Sequence, residues 1–170
     1  MSLDLNATLQ KVVDGLSDNF SEDLIEVYES CGHTYFRIES TAIVQICEYL
    51  KKKHHFILLC DVLGTDRYSS EERFEVLYNL MNLRTQDRIF VKIRLNEENP
   101  TVQSVSSVWT AAGWNEREVY DMFGIWFEGH PDLRRVFMPE DYEYFPLRKE
   151  FPLLGIPGSI ELPNTTPETE

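Results

Sequence analysis

The distribution of proline constrains the fold of this chain of 170 residues more than any other feature. Seven of its eight prolines lie between Pro131 and Pro167. Because proline lacks a backbone N–H donor and favours extended backbone, regular structure should largely stop before this segment. The segment is nevertheless rich in large apolar side chains, namely Phe137, Met138, Tyr142, Tyr144, Phe145, Phe151, Leu153 and Leu154. An extended segment cannot build a core from these side chains alone, so it must lie along its own domain or along another protein.

This distribution divides the chain into three predicted parts. We expect a folded domain over 1–130, an extended partner-binding arm over 131–158, and a polar, disordered tail over 159–170. A chain of this length can bury roughly two-thirds of its unfolded surface, which is enough for one domain with its own core.

The charge of the chain excludes several classes of function. Sixteen Lys and Arg residues stand against 29 Asp and Glu residues, so the formal net charge is −13. Such a polyanion repels phosphate backbones and has no compensating basic stripe, so we expect no nucleic-acid binding. No apolar run approaches the roughly 18 residues of a membrane span, and the start of the chain lacks the pattern of a secretory signal. We therefore expect a soluble, cytoplasmic protein without a membrane span.

The cysteines give no indication of a metal site. Cys31, Cys47 and Cys60 are an odd number of thiols, and none stands in a C-x-x-C or Cys–His pattern. Neither a zinc site nor an iron–sulfur cluster is therefore indicated. We expect three reduced, structural cysteines and no cluster bound by this chain.

Hydrophobic periodicity predicts the elements of the first part of the chain. In order, these are a helix over 5–16, β-like stretches over 24–29 and 34–39, a helix over 41–53 capped by Ser40, and a central strand over 56–63.

Strict alternation predicts a half-buried strand over 87–95, with its apolar positions at Ile89, Val91, Ile93 and Leu95. The segment 73–83 fits both a helix and a strand, but the short connection between the two runs suits a hairpin, so we interpret both as antiparallel strands. The order of elements predicts an α+β, two-layer domain. Its sheet is mixed and largely antiparallel, its helices pack on one face, and the extended proline-rich arm follows.

The region after Pro100 has a different character. Apolar residues over 102–112 match one helical face, and Gly113 stands where a C-terminal cap belongs. A second helix is predicted over 116–123, with Asn115 and Glu118 as a capping box and Gly124 as its end.

The charged residues of this second helix have ordinary explanations. Arg117 and Asp121 lie four residues apart and can pair along the helix surface. Glu116 and Glu118 could suggest acid–base chemistry, but capping accounts for Glu118, and the helix dipole favours acids near a helix start.

His130 is the residue most open to a chemical role. A catalytic histidine needs a nucleophile or an acid nearby, and a metal site needs companion ligands. The sequence has no G-x-S-x-G element, and the other three histidines are distant along the chain. We therefore favour a structural role in which the imidazole hydrogen-bonds a carboxylate or a backbone group.

Two pairs of basic residues stand out in this acidic chain, Arg134 with Arg135 and Arg148 with Lys149. Arginine suits forked, desolvated contacts with carboxylates, so these residues could anchor an interface. Salt bridges within the domain are the alternative. Because no G-x-G-x-x-G or Walker-type loop is present, we expect no nucleotide site in this chain.

Several motifs together resemble one family. These are EREVYDMFGI at 116–125, GHPDLRR at 129–135, MPE at 138–140 and PLRKEFP at 146–152. They are similar to the conserved blocks of the 30 kDa subunit family of NADH–quinone oxidoreductase, respiratory complex I. The segment that precedes these blocks also matches the family, at Pro100, Ser104, Val105 and Trp109. One departure is visible, because Tyr144 and Phe145 stand where the family usually has Gly-His before the last block.

The resemblance implies a set of signature and partner-interface residues. They are Glu116, Arg117, Glu118, Asp121, Gly124, His130, Asp132, Arg134, Arg135, Pro146, Arg148 and Lys149. It also implies a non-catalytic, architectural subunit of the peripheral arm, with no catalytic, cofactor-binding or metal-binding residue of its own. NADH, FMN, iron–sulfur clusters and quinone belong to other subunits of that complex, which couples electron transfer to proton translocation.

The implied partners are the large quinone-site subunit and neighbouring cluster-carrying subunits, on the cytoplasmic side of the bacterial inner membrane. Two alternatives stay open. One is the equivalent subunit of a ferredoxin- or F420-linked quinone reductase or of a membrane-bound hydrogenase. The other is a free-standing enzyme that uses His130 with Asp121 or Asp132.

Overall fold

The computed structural model describes residues 6–69, 71–156 and 158, and within them the chain forms three α-helices and seven β-strands. The helices are α1 (Ala7–Asn19), α2 (Ile43–His54) and α3 (Ala112–Phe123). The strands are β1 (Leu24–Ser30), β2 (His33–Ile38), β3 (Leu58–Asp66), β4 (Phe74–Met81), β5 (Arg88–Leu95), β6 (Thr101–Gln103) and β7 (Trp126–Glu128). The predicted tail over 159–170 lies outside the described residues.

Five strands form one mixed sheet in the order β1-β2-β5-β4-β3. Only the pair β2–β5 is parallel, while β1–β2, β3–β4 and β4–β5 are antiparallel. The predicted hairpin is therefore confirmed as β4 and β5, which are paired from Phe74 with Leu95 to Met81 with Arg88.

One face of this sheet carries the core. The alternating residues Phe74, Val76, Tyr78 and Leu80 of β4 are all buried on that face. Helices α1 and α2 cover the face with buried side chains, including Val12, Leu16, Ile43, Ile46, Cys47 and Leu50. The α+β prediction, with a mixed sheet and helices on one face, is thus confirmed.

Local signals explain the start of α1 and the end of α2. The side chain of Asn6 accepts hydrogen bonds from the backbone N–H groups of Thr8 and Leu9, so Asn6 caps α1. Basic residues fill the last turn of α2, where the helix dipole favours cations. The prediction that Ser40 caps α2 was wrong, because Ser40 begins a 3-10 turn that precedes the helix.

Strand β3 lies at an edge of the sheet, so the prediction of a central strand over 56–63 was wrong. Its apolar character has another cause, because α3 packs against it. A Cβ atom on Gly64 would lie 2.6 Å from the ring of Phe123, which shows how closely the helix approaches the strand.

The predicted helix over 102–112 was also wrong. Thr101–Gln103 forms β6, which pairs in parallel with β7 in a small second sheet. Consecutive turns then follow, in which Trp109 N–H donates to the carbonyl of Val105 and Ala112 N–H donates to that of Trp109. Successive turns bury residues at the same spacing as a helix, so periodicity alone could not separate the two.

Helix α3 begins earlier than predicted, at Ala112, so Gly113 lies inside it and is not a cap. The predicted capping box was wrong, because Asn115 donates to Asp61 on β3 at 3.2 Å and Glu118 is exposed. Gly124 ends the helix as predicted, in the left-handed conformation with φ of 73°.

Candidate functional site

Asp121 on α3 joins the signature helix to the C-terminal arm. Its side chain is completely buried, and Oδ2 accepts the backbone N–H groups of Val136, Phe137 and Met138 at 2.9, 2.7 and 3.0 Å. Burial alone would raise the pKa of Asp121, but these three donors and Arg135 outweigh it and lower the pKa. The carboxylate therefore stays charged and fixes one turn of the arm.

Arg135 makes the reciprocal contact from the arm. Its Nη1 donates to Asp121 Oδ1 at 2.7 Å and to the Asp121 carbonyl at 3.1 Å. Its Nη2 donates to the carbonyl oxygens of Tyr142 and Tyr144, and its guanidinium lies over the ring of Phe145. One buried side chain thus holds two stretches of the arm against the end of α3.

Arg117 does not pair with Asp121, so that prediction was wrong. Its Nε and Nη2 donate to the carbonyls of Arg134 and Arg135 at 3.0 and 3.1 Å, and its guanidinium stacks over Trp114. Both residues therefore bind neighbouring backbone groups of the arm, Arg117 through carbonyls and Asp121 through N–H groups. The side chain of Arg134 pairs with Asp132 at 2.6 Å in an exposed position.

His130 stands where the arm begins. Its Nε2 is 2.8 Å from the carbonyl of Gly113, and its Nδ1 accepts the N–H of Asp132 at 3.0 Å. In the tautomer that fits both contacts, Nδ1 accepts and Nε2 donates to the Gly113 carbonyl. Both ring nitrogens therefore contact backbone groups, which is the structural arrangement that the sequence favoured.

Glu116 differs from the other acids of α3. Its carboxyl group is fully buried, with Ser104 Oγ at 2.5 Å from Oε2 and the N–H of Val105 donating to Oε1 at 2.8 Å. Burial raises the pKa of Glu116 to about 7, although these two donors act in the opposite direction. The carboxyl group joins α3 to the segment that follows β6.

A second group of contacts fixes the far part of the arm. Arg148 Nε donates to the carbonyl of Phe123 at 2.7 Å, and the N–H of Leu147 donates to that of Met122 at 3.1 Å. A Cβ atom on Gly124 would meet Arg148 Nη2 at 2.6 Å and the ring of Phe145 at 2.7 Å. The glycine is needed both for its positive φ and for this close approach. Pro146 is half-buried at the start of this turn.

The arm then reaches the sheet at Asp66, at the end of β3. The N–H of Lys149 donates to Asp66 Oδ2 at 2.8 Å, while the Lys149 side chain is exposed. Arg73 donates to both carboxylate oxygens of Asp66, at 2.9 and 2.7 Å, and also pairs with Glu97 and Glu150. Hydrogen bonds from Arg73 are the main reason why the pKa of Asp66 lies well below its usual range.

The side chains of Arg117, Asp121, Arg135 and Arg148 therefore bind the arm to its own domain. The guanidinium groups of Arg135 and Arg148 contact backbone of this chain, whereas the sequence favoured them as anchors for a partner. Sequence reasoning missed Asp66 and Arg73, because each stands alone at the end of a strand in no recognisable motif. Ser104, by contrast, was part of the family match.

The arm exposes several large apolar side chains, interspersed with charged residues such as Glu140, Asp141 and Glu143. Its exposed large side chains are Val136, Phe137, Tyr144, Leu147, Leu153 and Leu154. Leu153 and Leu154 have relative exposures of 101% and 98%, so they make essentially no contact with the domain. The arm also borders a cavity of about 370 Å³, which is lined by the apolar residues Tyr144, Phe145, Phe151, Pro152 and Ile156 together with Glu143, Arg148 and Glu150.

In the described part of the chain, no group of three or more His, Cys, Asp or Glu residues could hold a metal ion. Cys31, Cys47 and Cys60 form no disulfide in the structure; Cys47 is buried, Cys60 is half-buried and Cys31 is exposed. None of the helices formed by residues 6–69, 71–156 and 158 is long and apolar enough to cross a membrane.

Comparison with known proteins shows the family to which this chain belongs. The family model described as "Respiratory-chain NADH dehydrogenase, 30 Kd subunit" matches residues 36–156. The C-type subunit of NADH-quinone oxidoreductase from Geobacter metallireducens is 40% identical over 153 residues, which cover 89% of this chain and 94% of that protein. A C/D-type subunit of NADH-quinone oxidoreductase from Aquifex aeolicus is 39% identical over 146 residues, which cover 85% of this chain and 24% of that protein.

Among solved structures, the trypsin-resistant fragment (1-134) of Nqo5 is similar to this chain, with a TM-score of 0.65 and 30% identity. The match covers 74% of this chain and 99% of the fragment. The fold, the signature helix and the sequence relatives lead to one conclusion. This chain belongs to the family of the 30 kDa subunit of respiratory-chain NADH dehydrogenase, and its relatives are C-type subunits of NADH–quinone oxidoreductase.

Proposed function

We propose that this chain is an architectural subunit of the peripheral arm of NADH–quinone oxidoreductase and contributes no reacting group of its own. The proposal rests on how the buried and exposed side chains are distributed along the C-terminal arm. Its buried polar groups bind the home domain, while several of its large apolar side chains, among them Phe137, Leu153 and Leu154, are exposed. Apolar and aromatic groups exposed in this way are typical of a protein–protein interface.

The partner that we propose for this surface is the large quinone-site subunit of the complex, which is the D-type subunit. The relative in Aquifex aeolicus carries the double designation C/D, and the match covers only 24% of it. In that protein the C-like part and the remainder, designated D, are one chain, which supports a direct contact between the two subunits. The solved fragment of Nqo5 is described as trypsin-resistant, which supports a stable domain with an appended arm.

In this role the chain holds electron-carrying subunits at fixed positions. We propose that NADH, FMN, the iron–sulfur clusters and quinone are bound by those subunits, on the cytoplasmic side of the bacterial inner membrane. A free-standing enzyme using His130 has little support, because both nitrogens of the imidazole are held by backbone groups and Asp121 is saturated by four donors.

Binding to the large quinone-site subunit of the same organism tests the proposal. The double variant Leu153→Glu/Leu154→Glu should bind at least tenfold more weakly than the unaltered chain, because it places two charges in an apolar contact. Leu83→Glu is the matched control, since Leu83 is also exposed but lies in the connection between β4 and β5. The isolated chain should show no flavin or cluster absorbance and no NADH oxidation. Equal binding by all three proteins, or turnover by the chain alone, would contradict the proposal.

A further inference from the structure

Glu116 is a buried acid without a cationic partner of the usual kind. Its side chain has no exposed surface, and within the described residues it forms no ion pair with Lys or Arg. Asp121, five residues further along the same helix, is equally buried but receives three backbone N–H groups and Arg135. A buried carboxylate with so few donors is costly to keep charged, so the neutral acid is favoured.

A chain of two hydroxyl groups joins this carboxyl group to the surface. Ser104 Oγ lies 2.5 Å from Glu116 Oε2 and 2.7 Å from Ser106 Oγ. Ser104 is buried, whereas Ser106 is only half-buried. Because a hydroxyl group both donates and accepts, every hydrogen bond in this chain can reverse its direction.

The other groups that face Glu116 come from three elements and carry no fixed charge. His130 Nε2 lies 4.0 Å away and donates to the carbonyl of Gly113. The hydroxyl of Tyr78 on β4 is buried, and no hydrogen-bond partner for it is present in the described part of the chain. Burial and the nearby Glu116 raise the pKa values of both Tyr78 and Cys47, which lies on α2, so these two groups stay neutral.

We propose that Glu116 is a proton-binding site, which exchanges its proton with solvent through Ser104 and Ser106. In the protonated state, Glu116 donates to Ser104 Oγ, Ser104 donates to Ser106 Oγ, and Ser106 donates to water. In the ionised state all three hydrogen bonds point the other way. One proton enters or leaves, and each hydroxyl group passes on one proton and receives another.

The site responds to pH in a defined direction. Burial raises the pKa of Glu116 to about 7, whereas an unfolded glutamate titrates at about 4.3. Between these values the folded chain holds the proton and the unfolded chain does not. The contribution of Glu116 to stability is therefore complete below the unfolded pKa and is lost as the pH rises through the folded one.

Carbon NMR of the full chain, labelled at its glutamate carboxyl carbons, measures the site directly. One assigned signal, that of Glu116, should titrate with a midpoint near pH 7. The assignment is made on the unaltered protein, so the test does not depend on a variant that folds. A midpoint for Glu116 in the ordinary range near pH 4.3 would overturn the proposal.

Variants test the assignment and the relay. Glu116→Gln should abolish the high titration, and Glu118→Gln, which alters an exposed acid of the same helix, should leave it unchanged. Ser104→Ala should raise the midpoint, because the ionised carboxylate loses a hydrogen-bond donor. A high titration that persists in Glu116→Gln, or a midpoint unmoved by Ser104→Ala, would contradict the proposal.

Discussion

Asp121 Oδ1 lies 2.7 Å from Arg135 Nη1, and both side chains are almost completely shielded from solvent. The first residue belongs to the signature helix and the second to the C-terminal arm, 14 positions later. The pair therefore connects α3 to the C-terminal arm, whose described residues form neither helix nor strand. Because the arm is fixed by its polar groups, it can present its apolar side chains to another protein without first paying the ordering entropy of docking.

Removing the charge of Asp121 should loosen the arm. Asp121→Asn leaves Arg135 buried without its counter-charge, so we expect the free energy of unfolding to fall by about 3–5 kcal/mol. Urea denaturation measures this change. Asp132→Asn is the control, because Asp132 pairs with Arg134 in an exposed position, and its urea midpoint should stay unchanged. Similar midpoints for the two variants would contradict the role assigned to Asp121.

Any side chain at Gly124 should lower the free energy of unfolding. Gly124→Ala combines a positive φ of 73° with contacts to Arg148 and Phe145, so we expect a loss of about 1–3 kcal/mol and faster hydrogen exchange at Leu147. Gly32→Ala has nearly the same φ, 75°, but no atom within 4 Å of the added methyl group. The difference between the two variants isolates the packing of the arm, and equal losses would show that this packing contributes nothing.

Arg73 and Asp66 should be strongly coupled. Arg73→Met leaves a buried carboxylate without its main partner and should cost about 3–5 kcal/mol. The double variant Asp66→Asn/Arg73→Met removes both charges and should recover part of that loss. A double-mutant cycle from urea denaturation gives the coupling energy directly. Strictly additive losses would show that the pair is not a coupled anchor for the arm at Lys149.

Acid should release the arm through the same carboxylates. The pKa values of Asp66 and Asp121 are lower in the folded chain than in the unfolded one. Their contribution to stability is therefore present above the ordinary aspartate pKa of about 3.9 and is lost as the pH falls through the folded values. Proteolysis at acid pH should cut the arm before the domain. Simultaneous cleavage of both at every pH would contradict this order.

The sequence predicted the sheet and the family better than the contacts of the signature residues. Alternation over 87–95 identified β5, because in a half-buried strand apolar and polar residues alternate between the buried and the exposed face. The apolar run 56–63 predicted a central strand, but β3 lies at the edge of the sheet and packs against α3, and an apolar run alone does not distinguish the two environments. Helical spacing over 102–112 came from successive turns.

The contacts of Asp121 could not be predicted, because its partners lie 14 to 17 residues further along the chain, beyond the range of helix-spacing rules. The sequence predicted that Asp121 pairs with Arg117, four residues before it on the helix. In the structure its partners are Arg135 and three backbone N–H groups of the arm. The raised pKa of Glu116 could not be predicted either, because its environment comes from residues on α2, β4 and the segment after β6.

Hydrogen exchange of the full chain, alone and bound to the large quinone-site subunit, tests the central claim most directly. We expect the amides of Leu153 and Leu154 to exchange rapidly in the isolated chain, since both residues are almost fully exposed. On binding, these two amides should become strongly protected, while the core amides of β4 keep their original rates. Unchanged exchange at Leu153 and Leu154 in a complex that has formed would contradict the assignment of this surface to the partner.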